Sequence, residues 1–226
     1  MGKIILDVCK ISKSYNNGEN DLHVLRDLSL KVCEKEVVTI TGKSGSGKST
    51  LLNILGTLDQ PDSGEIQIDG QNILRMNNRD LARLRNKKVG FVFQFHHLLS
   101  EFTALENVLI PAWIGNYNQN KKDEALYLFE KLDLTSKIDC YPNQLSGGER
   151  SRVALLRGII NNPKLLLADE PTGNLDEKNA LALIDLIKKI NNDFNQSIIL
   201  TTHNPDVAKL GCSRYDLKNG FLRKMS

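Results

Sequence analysis

The sequence predicts an α/β protein. Short apolar, β-branched runs alternate with stretches of helical period, and several of the runs stop at a polar or acidic residue. One of them, Val37-Val38-Thr39-Ile40-Thr41, leads straight into Gly42-Lys43-Ser44-Gly45-Ser46-Gly47-Lys48-Ser49. The helix-compatible run Thr50-Leu51-Leu52-Asn53-Ile54-Leu55 follows it. The eight residues fit G-x-x-x-x-G-K-[ST], the phosphate-binding loop. Its glycines let successive backbone N–H groups turn toward phosphate oxygens, and the helix N-terminus behind it adds a favourable dipole end. Lys48 is placed to reach the terminal phosphates, and the Ser49 hydroxyl to take a position on Mg²⁺.

The elements before the loop read as β structure. Ile4, Leu6 and Val8 alternate as in a strand, and Leu28-Ser29-Leu30-Lys31-Val32 reads as a second. Between them Ser14-Tyr15-Asn16-Asn17-Gly18 reads as a turn. Tyr15 there is either a packing residue or an aromatic face for an adenine ring. Asp59-Gln60-Pro61-Asp62-Ser63-Gly64 is a dense turn, and Glu65 to Asp69 alternates as a short strand.

Residues 78–86 read as a basic helix with Arg83 and Arg85, followed by Lys87 and Lys88. The cluster is a solvated face or a contact with a membrane surface or partner. Val89-Gly90-Phe91-Val92-Phe93 is a buried strand closed by Gln94, at the carboxyl edge where α/β sheets bind ligands. His96 and His97, being adjacent, cannot share a helix face as a metal pair and suit loop packing or partner contacts.

Thr103 and Glu106 have capping-box spacing, and residues 121–133 carry Ala125, Leu128, Phe129 and Leu132 on one helical face. Leu145-Ser146-Gly147-Gly148-Glu149 opens another helix. It is either an ordinary capped start or a second anion site of small residues and exposed N–H groups. Leu165-Leu166-Leu167-Ala168 is fully apolar and ends in Asp169-Glu170. Desolvating two acids at a buried strand end is costly without a purpose. Beside a phosphate loop, Asp169 is suited to Mg²⁺ and Glu170 to polarising a water. Gly173-Asn174-Leu175-Asp176 reads as a turn, 179–190 as a helix, and Ser197 to Thr202 as a buried strand with His203 at its end. Tyr215 to Ser226 reads as a hairpin about Asn219-Gly220.

Composition excludes several classes. With 226 residues, 40% hydrophobic and 25% charged, the chain is ordinary for a globular protein, and a net charge of +3 gives no reason to expect nucleic acid. Cys9, Cys33, Cys140 and Cys212 are scattered without metal-ligand spacing or a disulfide framework, so reduced thiols are expected. Asp7 and Lys10 interrupt the apolar start, so no signal peptide is expected. No apolar run approaches the ~20 residues of a membrane span. Any membrane role is expected to come through a partner.

Taken together, the phosphate loop, Gln94, Leu145–Glu149, Asp169-Glu170, Asp176 and His203, in that order, resemble the ATP-binding-cassette ATPases. The signature at 145–149 separates that family from other phosphate-loop ATPases, kinases and switches. The resemblance implies a single domain over 1–226, with a P-loop NTPase (RecA-like) α/β core. An N-terminal antiparallel β subdomain and a helical subdomain at about 95–160 are inserted on it. It implies that ATP and Mg²⁺ are bound, with ATP held by Tyr15, Gly42, Lys43, Ser44, Gly45, Ser46, Gly47, Lys48, Ser49 and Thr50. Mg²⁺ falls to Ser49, Gln94 and Asp169, and Glu170, His203 and Gln94 carry the chemistry. Two copies are expected to pair head to tail, Leu145–Glu149 of one closing on the ATP of the other and Asp176 communicating between them.

A narrower resemblance is carried by Phe93-Gln94-Phe95-His96-His97-Leu98-Leu99, by Phe102 to Val108, by Leu145 to Arg150 and by Ala168 to Asp176. These stretches look like the lipoprotein-release branch, with macrolide-export and cell-division cassettes as near relatives. That branch implies a peripheral subunit on the cytoplasmic face of the bacterial inner membrane, driving integral membrane permease subunits. A non-transport cassette ATPase is the alternative of a different class; no long coiled-coil insertion or tandem repeat supports it.

The sequence departs from the family pattern in four places. Glu149 replaces the common Gln, Lys35 stands at a turn usually given to Gly, and Asn204 replaces Asp. Gly158 lies inside a helix where Ala is favoured, at a propensity cost of roughly 1 kcal/mol.

Overall fold

The computed structural model describes residues 2–16, 18, 21–115 and 120–225; Asn17 of the expected turn and Ser226 of the expected hairpin lie outside them. The chain runs β1 (Ile4–Asn16), β2 (Asp21–Cys33), β3 (Val37–Thr41), α1 (Lys48–Leu55), β4 (Ser63–Ile68), β5 (Gln71–Asn72). It continues α2 (Asn78–Lys88), β6 (Val89–Val92), α3 (Ala104–Ile114), α4 (Asn120–Lys131), α5 (Gly147–Ile159), β7 (Leu165–Asp169). It ends α6 (Glu177–Phe194), β8 (Ser197–Thr202), α7 (Pro205–Ala208), β9 (Ser213–Lys218), β10 (Phe221–Lys224).

The strands form two sheets. An antiparallel sheet has the order β2-β1-β4-β5, and a second, in the order β10-β9-β3-β8-β7-β6, is parallel from β9 to β6. Of the turn expected over Ser14–Gly18, Ser14, Tyr15 and Asn16 instead end β1, pairing with His23, Leu22 and Asp21. Cross-strand hydrogen bonds there override the turn preference of the polar residues.

The period of two in the parallel strands divides the core. Leu165 and Leu167 of β7 and Ile199 of β8 face a cluster shared with α1 and the antiparallel sheet. Leu166 and Ala168, with Ile198 and Leu200, face the opposite cluster, built on α3, α4, α5 and α6 with Phe129 fully buried. Both faces of the sheet are therefore covered, as a parallel sheet requires, and the strand ends are left for function.

Three sequence departures acquire physical reasons. Gly158 lies where α5 crosses β6, and a side chain on Gly90 would overlap the Gly158 carbonyl oxygen. A Cβ on Gly158 itself would sit 3.0 Å from the Phe91 carbonyl oxygen. The helix gives up propensity to lie closer to the sheet. Lys35 takes the glycine-like φ of 66°. Its N–H donates to Ser197 Oγ at 2.9 Å and its carbonyl accepts from Asn191 Nδ2 at 2.9 Å, so the turn is held from both sides. Asn204 caps α7, its side chain accepting from the N–H groups of Asp206 and Val207.

The antiparallel sheet is tied to α2 through one acid. Asp69 receives Lys3 Nζ at 2.7 Å and Lys88 Nζ at 2.6 Å. These lysines, Lys3 first, hold its carboxyl at about 2, below the ordinary 3.8. A depressed carboxylate contributes stability above its unfolded value and loses it as pH falls through the folded one. Asp69→Asn is therefore expected to cost about 1 kcal/mol at pH 7, a value kept small because Lys3 is mostly exposed. The gap to the parent protein should close as pH falls from about 4 to 2, as measured by urea unfolding.

Candidate active site

The parallel order β3-β8-β7-β6 brings four strand ends to one edge, and the polar residues that stop those runs meet there. At the end of β3 the chain enters the glycine loop, where Gly45 and Gly47 have φ of 75° and 100°. Gly47 is the N-cap of α1 and provides no side-chain hydrogen bond, so the helix's first N–H groups keep their capacity for an anion. A Cβ on Gly47 would lie 2.8 Å from Val24 Cγ1, which closes the loop against β2. Inside it, Ser46 Oγ is buried without a hydrogen-bond partner. An orphaned hydroxyl, uncapped N–H groups and a loop rich in left-handed glycine together fit a phosphate chain.

Lys48 is only 5% exposed. Its ammonium donates to the carbonyls of Gly42 and Lys43 at 2.9 and 3.2 Å and stands 3.2 Å from Glu170 Oε1. The other carboxylate oxygen, Glu170 Oε2, accepts from His203 Nδ1 at 2.8 Å. The structure thus brings Lys48, Glu170 and His203 into one chain, with Glu170 largely buried and His203 exposed. Glu170 has φ of 43°, a left-handed conformation that a non-glycine residue adopts at a cost of about 1–3 kcal/mol and that is concentrated at functional sites. Its N–H is directed at Thr201, at 3.1 Å from the carbonyl oxygen and 3.2 Å from Oγ1. Thr201 Oγ1 in turn donates to Asp169 Oδ1 at 2.6 Å.

Gln94, just beyond β6, lies against the loop that follows Glu170. A Cβ on Gly173 would be 2.9 Å from Gln94 Nε2, and Asn174 Nδ2 donates to the Gln94 carbonyl at 3.1 Å. The next turn passes through His96 and His97, both with positive φ. Arg157 of α5 donates to their carbonyls at 2.5 and 2.6 Å, and His96 Nε2 meets Ser151 Oγ of α5 at 2.7 Å. Burial holds the His96 imidazole below its ordinary value. His96 packs within this loop, His97 is exposed with its ring edge-on to Phe93, and α5 grips the loop that carries Gln94.

Ser49 is exposed and Thr50 half-buried on α1, while Lys43, Ser44 and Gly45 are exposed on the outside of the loop. Tyr15 donates to Asp59 Oδ2 at 2.7 Å, and Lys13 Nζ stands 5.1 Å from its ring centroid. That partly exposed ring is fixed at the mouth of the antiparallel sheet. Leu145 is buried, and Ser146 caps α5 in a reciprocal box: Ser146 Oγ accepts from the Glu149 N–H at 3.3 Å, and Glu149 Oε2 from the Ser146 N–H at 2.7 Å. The Ser146 N–H, with Lys137 at 3.3 Å, holds the Glu149 carboxyl below its ordinary range. Among the described residues no hydrogen bond or ion pair joins Leu145–Glu149 to Gly42–Ser49. Asp176 caps α6, accepting from the Asn179 N–H at 2.8 Å.

The sequence reading missed Thr201, Arg157, Ser151 and Asn179. Thr201 had a signal, a polar residue inside an apolar run, and so did Arg157, a cation on a helix otherwise buried along one face.

The family model for ABC transporters matches residues 25–173, which takes in the glycine loop, Gln94, the 145–149 helix start and the acidic strand end. The chain belongs to the ABC transporter family. Among curated relatives, the lipoprotein-releasing system ATP-binding protein LolD of Shewanella oneidensis is 45% identical, covering 99% of this chain and 97% of the relative. LolD of Buchnera aphidicola is 44% identical over 97% and 96% of the two chains. Among solved structures, the ATP-binding cassette MJ0796, as a dimer in a post-hydrolysis state bound to ADP and Pi, is 36% identical. It superposes with a TM-score of 0.89 over 98% of both chains. A second dimeric structure of MJ0796, described as a bacterial ABC transporter cassette, is 37% identical with a TM-score of 0.90.

Within this ABC site the Thr201 side chain touches both members of the acidic pair. Thr201→Val keeps the shape of the side chain but removes the donor to Asp169. It is expected to lower stability by about 1–2 kcal/mol in urea unfolding and the kcat for ATP roughly tenfold through loss of acid positioning. Unchanged kcat with lowered stability would leave Thr201 a packing residue only.

Proposed function

We propose that this chain is the ATP-hydrolysing subunit of a transporter that releases lipoproteins from a bacterial inner membrane. The reading is supported first by the Lys48–Glu170–His203 chain at the carboxyl edge of the parallel sheet. The 45% identity to a LolD protein along nearly the whole length supports the transported class.

The residues suggest the following mechanism. The triphosphate lies against the N–H groups of Gly42 to Thr50, and Ser46 Oγ gains a partner. Lys48 turns its ammonium from the Gly42 and Lys43 carbonyls to the phosphate oxygens, which removes its attraction for Glu170. The released carboxylate accepts a proton from a water whose oxygen attacks the γ-phosphorus, as the bond from that phosphorus to the bridging oxygen breaks and ADP leaves. His203, exposed beside Glu170, contacts the γ-phosphate. Tyr15 offers its ring to the adenine.

Mg²⁺ suits the oxygen donors Ser49, Gln94 and Asp169, since that ion keeps waters and phosphate oxygens for most of its shell. When bound it supplies charge neutralisation on the phosphates. Thr201 holds Asp169 in place for it.

Leu145–Glu149 completes the site of a second copy in a head-to-tail pair, with Asp176 communicating between the two. The helical section at about 95–160 follows Gln94 as a unit. A groove of about 510 Å³ beside it, lined by Leu58, Ala82, Arg85, Phe93, Pro111 and Ile114, offers the membrane subunits a seat. Among the described residues no helix is long and apolar enough to cross a membrane. In this reading the chain acts peripherally on the cytoplasmic face, through those permease subunits.

Glu170→Gln keeps the hydrogen-bonding shape but cannot take a proton. Its kcat should fall at least about 100-fold with ATP affinity retained, and it should accumulate as an ATP-bound dimer in light scattering. Near-normal turnover removes Glu170 as the base. The two-copy site is best tested at Gly147, where a Cβ would meet only Leu175 Cδ2 at 3.7 Å, whereas a side chain on Gly148 would run into Asn179 of its own chain. Gly147→Asp also suits the dipole of α5. It should abolish ATP-dependent pairing in the Glu170→Gln background and leave monomer ATP binding intact. Persistent pairing overturns the composite site. Co-purification from solubilised membranes of permeases with no role in lipoprotein release would overturn the transported class.

A further inference from the structure

The side chain of Asn179 has a job that helix capping does not require. Asp176 caps α6 by accepting from the Asn179 backbone N–H, and any residue at position 179 supplies that group. The amide goes further. Asn179 Nδ2 donates to Asp176 Oδ1 at 3.0 Å and to Oδ2 at 2.8 Å, spanning both oxygens of an otherwise exposed carboxylate. Its other end is confined. Asn179 Oδ1 and Cγ fill the space a Cβ on Gly148 would need, so the amide stands between the second signature glycine and the carboxylate at the start of α6. Gly148 is buried there, although it lies in the first turn of a helix whose N-cap, Ser146, is exposed.

We propose that Asn179 is a positioning residue that couples the N-terminus of α5 to the Asp176 carboxylate. The inference rests on the reading that Leu145–Glu149 faces the ATP of a second copy and that Asp176 communicates across the pair. The gap between Gly148 and Asn179 has no room for a side chain, since a Cβ on Gly148 would overlap Asn179 Oδ1. A shift of the α5 N-terminus toward α6 would press on the amide, and the two N–H···O bonds would carry the displacement to Asp176. The γ-phosphate held at one composite site is then felt by a carboxylate facing the other. The side chain of Asn179 fixes the direction of that carboxylate, and the length of Asn matches the gap.

The test uses the full chain with Asn179 replaced by Ala, Ser and Asp, measuring thermal midpoint, monomer ATP affinity, kcat and the Hill coefficient for ATP. Asn179→Ala should keep the midpoint and the monomer affinity, lower kcat roughly 5–20-fold and bring the Hill coefficient toward one. Asn179→Ser, with one hydroxyl donor to Asp176, should recover part of both. Asn179→Asp, the same shape with an acceptor in place of the donor, should fall at least as far as Ala.

Parental kcat and Hill coefficient in the Ala variant, or an Asp variant equal to the parent, overturns the proposal. So does a loss of kcat in every variant that follows a lowered midpoint. The Glu170→Gln background separates the two levels. If Glu170→Gln fails to pair with ATP, the two-copy reading fails and takes this inference with it. If Glu170→Gln pairs and the double variant Glu170→Gln/Asn179→Ala pairs at the same ATP concentration, only the role of Asn179 is lost.

Discussion

The buried ammonium of Lys48 is the constraint on which the site depends. A charge this far from water is tolerated only with close partners of opposite sign or dipole. The fold supplies three: the carbonyls of Gly42 and Lys43 and the carboxylate of Glu170. The two carbonyls are local to the loop, but Glu170 can approach only if the end of β7 lies close to the end of β3, and that requires β8 between them in a parallel sheet covered on both faces. The two hydrophobic clusters thus serve the lysine indirectly, by forcing strands from distant parts of the sequence into register. The arrangement also sets a threshold. In the proposed mechanism a polyanion entering the loop takes Lys48 from Glu170, and that exchange frees the carboxylate to act as the base.

Much of this was legible in the sequence, for reasons that differ from element to element. The glycine loop was readable because its spacing, β-branched approach and following helix are local. Glu170, Gln94 and His203 were readable as strand-end residues because period and polarity mark where buried strands stop. Their mutual contacts were not, since Lys48–Glu170 and Glu170–His203 depend on sheet order, and neighbours in the sheet are not neighbours in the chain. Tyr15 shows local preference being overruled. Asn16 and Gly18 signal a turn, yet pairing with His23 and Leu22 carries β1 through Tyr15. Asn179 gave no signal at all, because a polar residue in the first turn of a helix looks the same whether it faces solvent or another helix. The family pattern, not periodicity, led to the expectation that the helix start at 145–149 meets a nucleotide held by a second copy.

The helix α5 connects these observations. Its first turn carries Ser146, Gly147 and Gly148. Its middle offers Ser151 to His96, and its last turn sends Arg157 to the carbonyls of His96 and His97. Toward its end Gly158 lies so close to Gly90 that the helix cannot slide over β6 without collision. A rod fixed at one end and loaded at the other rotates more readily than it translates. The loop of Gln94 is tied to the same rod between those points, so turning α5 changes both the signature end and the Gln94 loop.

That geometry bears on why the loop after Gln94 tolerates two consecutive residues in left-handed conformation. Each costs of order 1 kcal/mol or more, and neither His96 nor His97 is a glycine or asparagine that would lessen it. Arg157 offsets the cost by taking both carbonyls at once, and Phe93 adds an edge-on contact to the His97 ring. The turn is therefore stable only while α5 and β6 keep their present relation. If α5 rotates, the Arg157 contacts lengthen together and the conformational cost of the turn is no longer offset. The loop sits between Gln94 at the carboxyl edge of the sheet and the groove lined by Phe93, Pro111 and Ile114. Under the proposed function, a ligand on either side would bias the other to the extent that it binds one arrangement of this loop better than another.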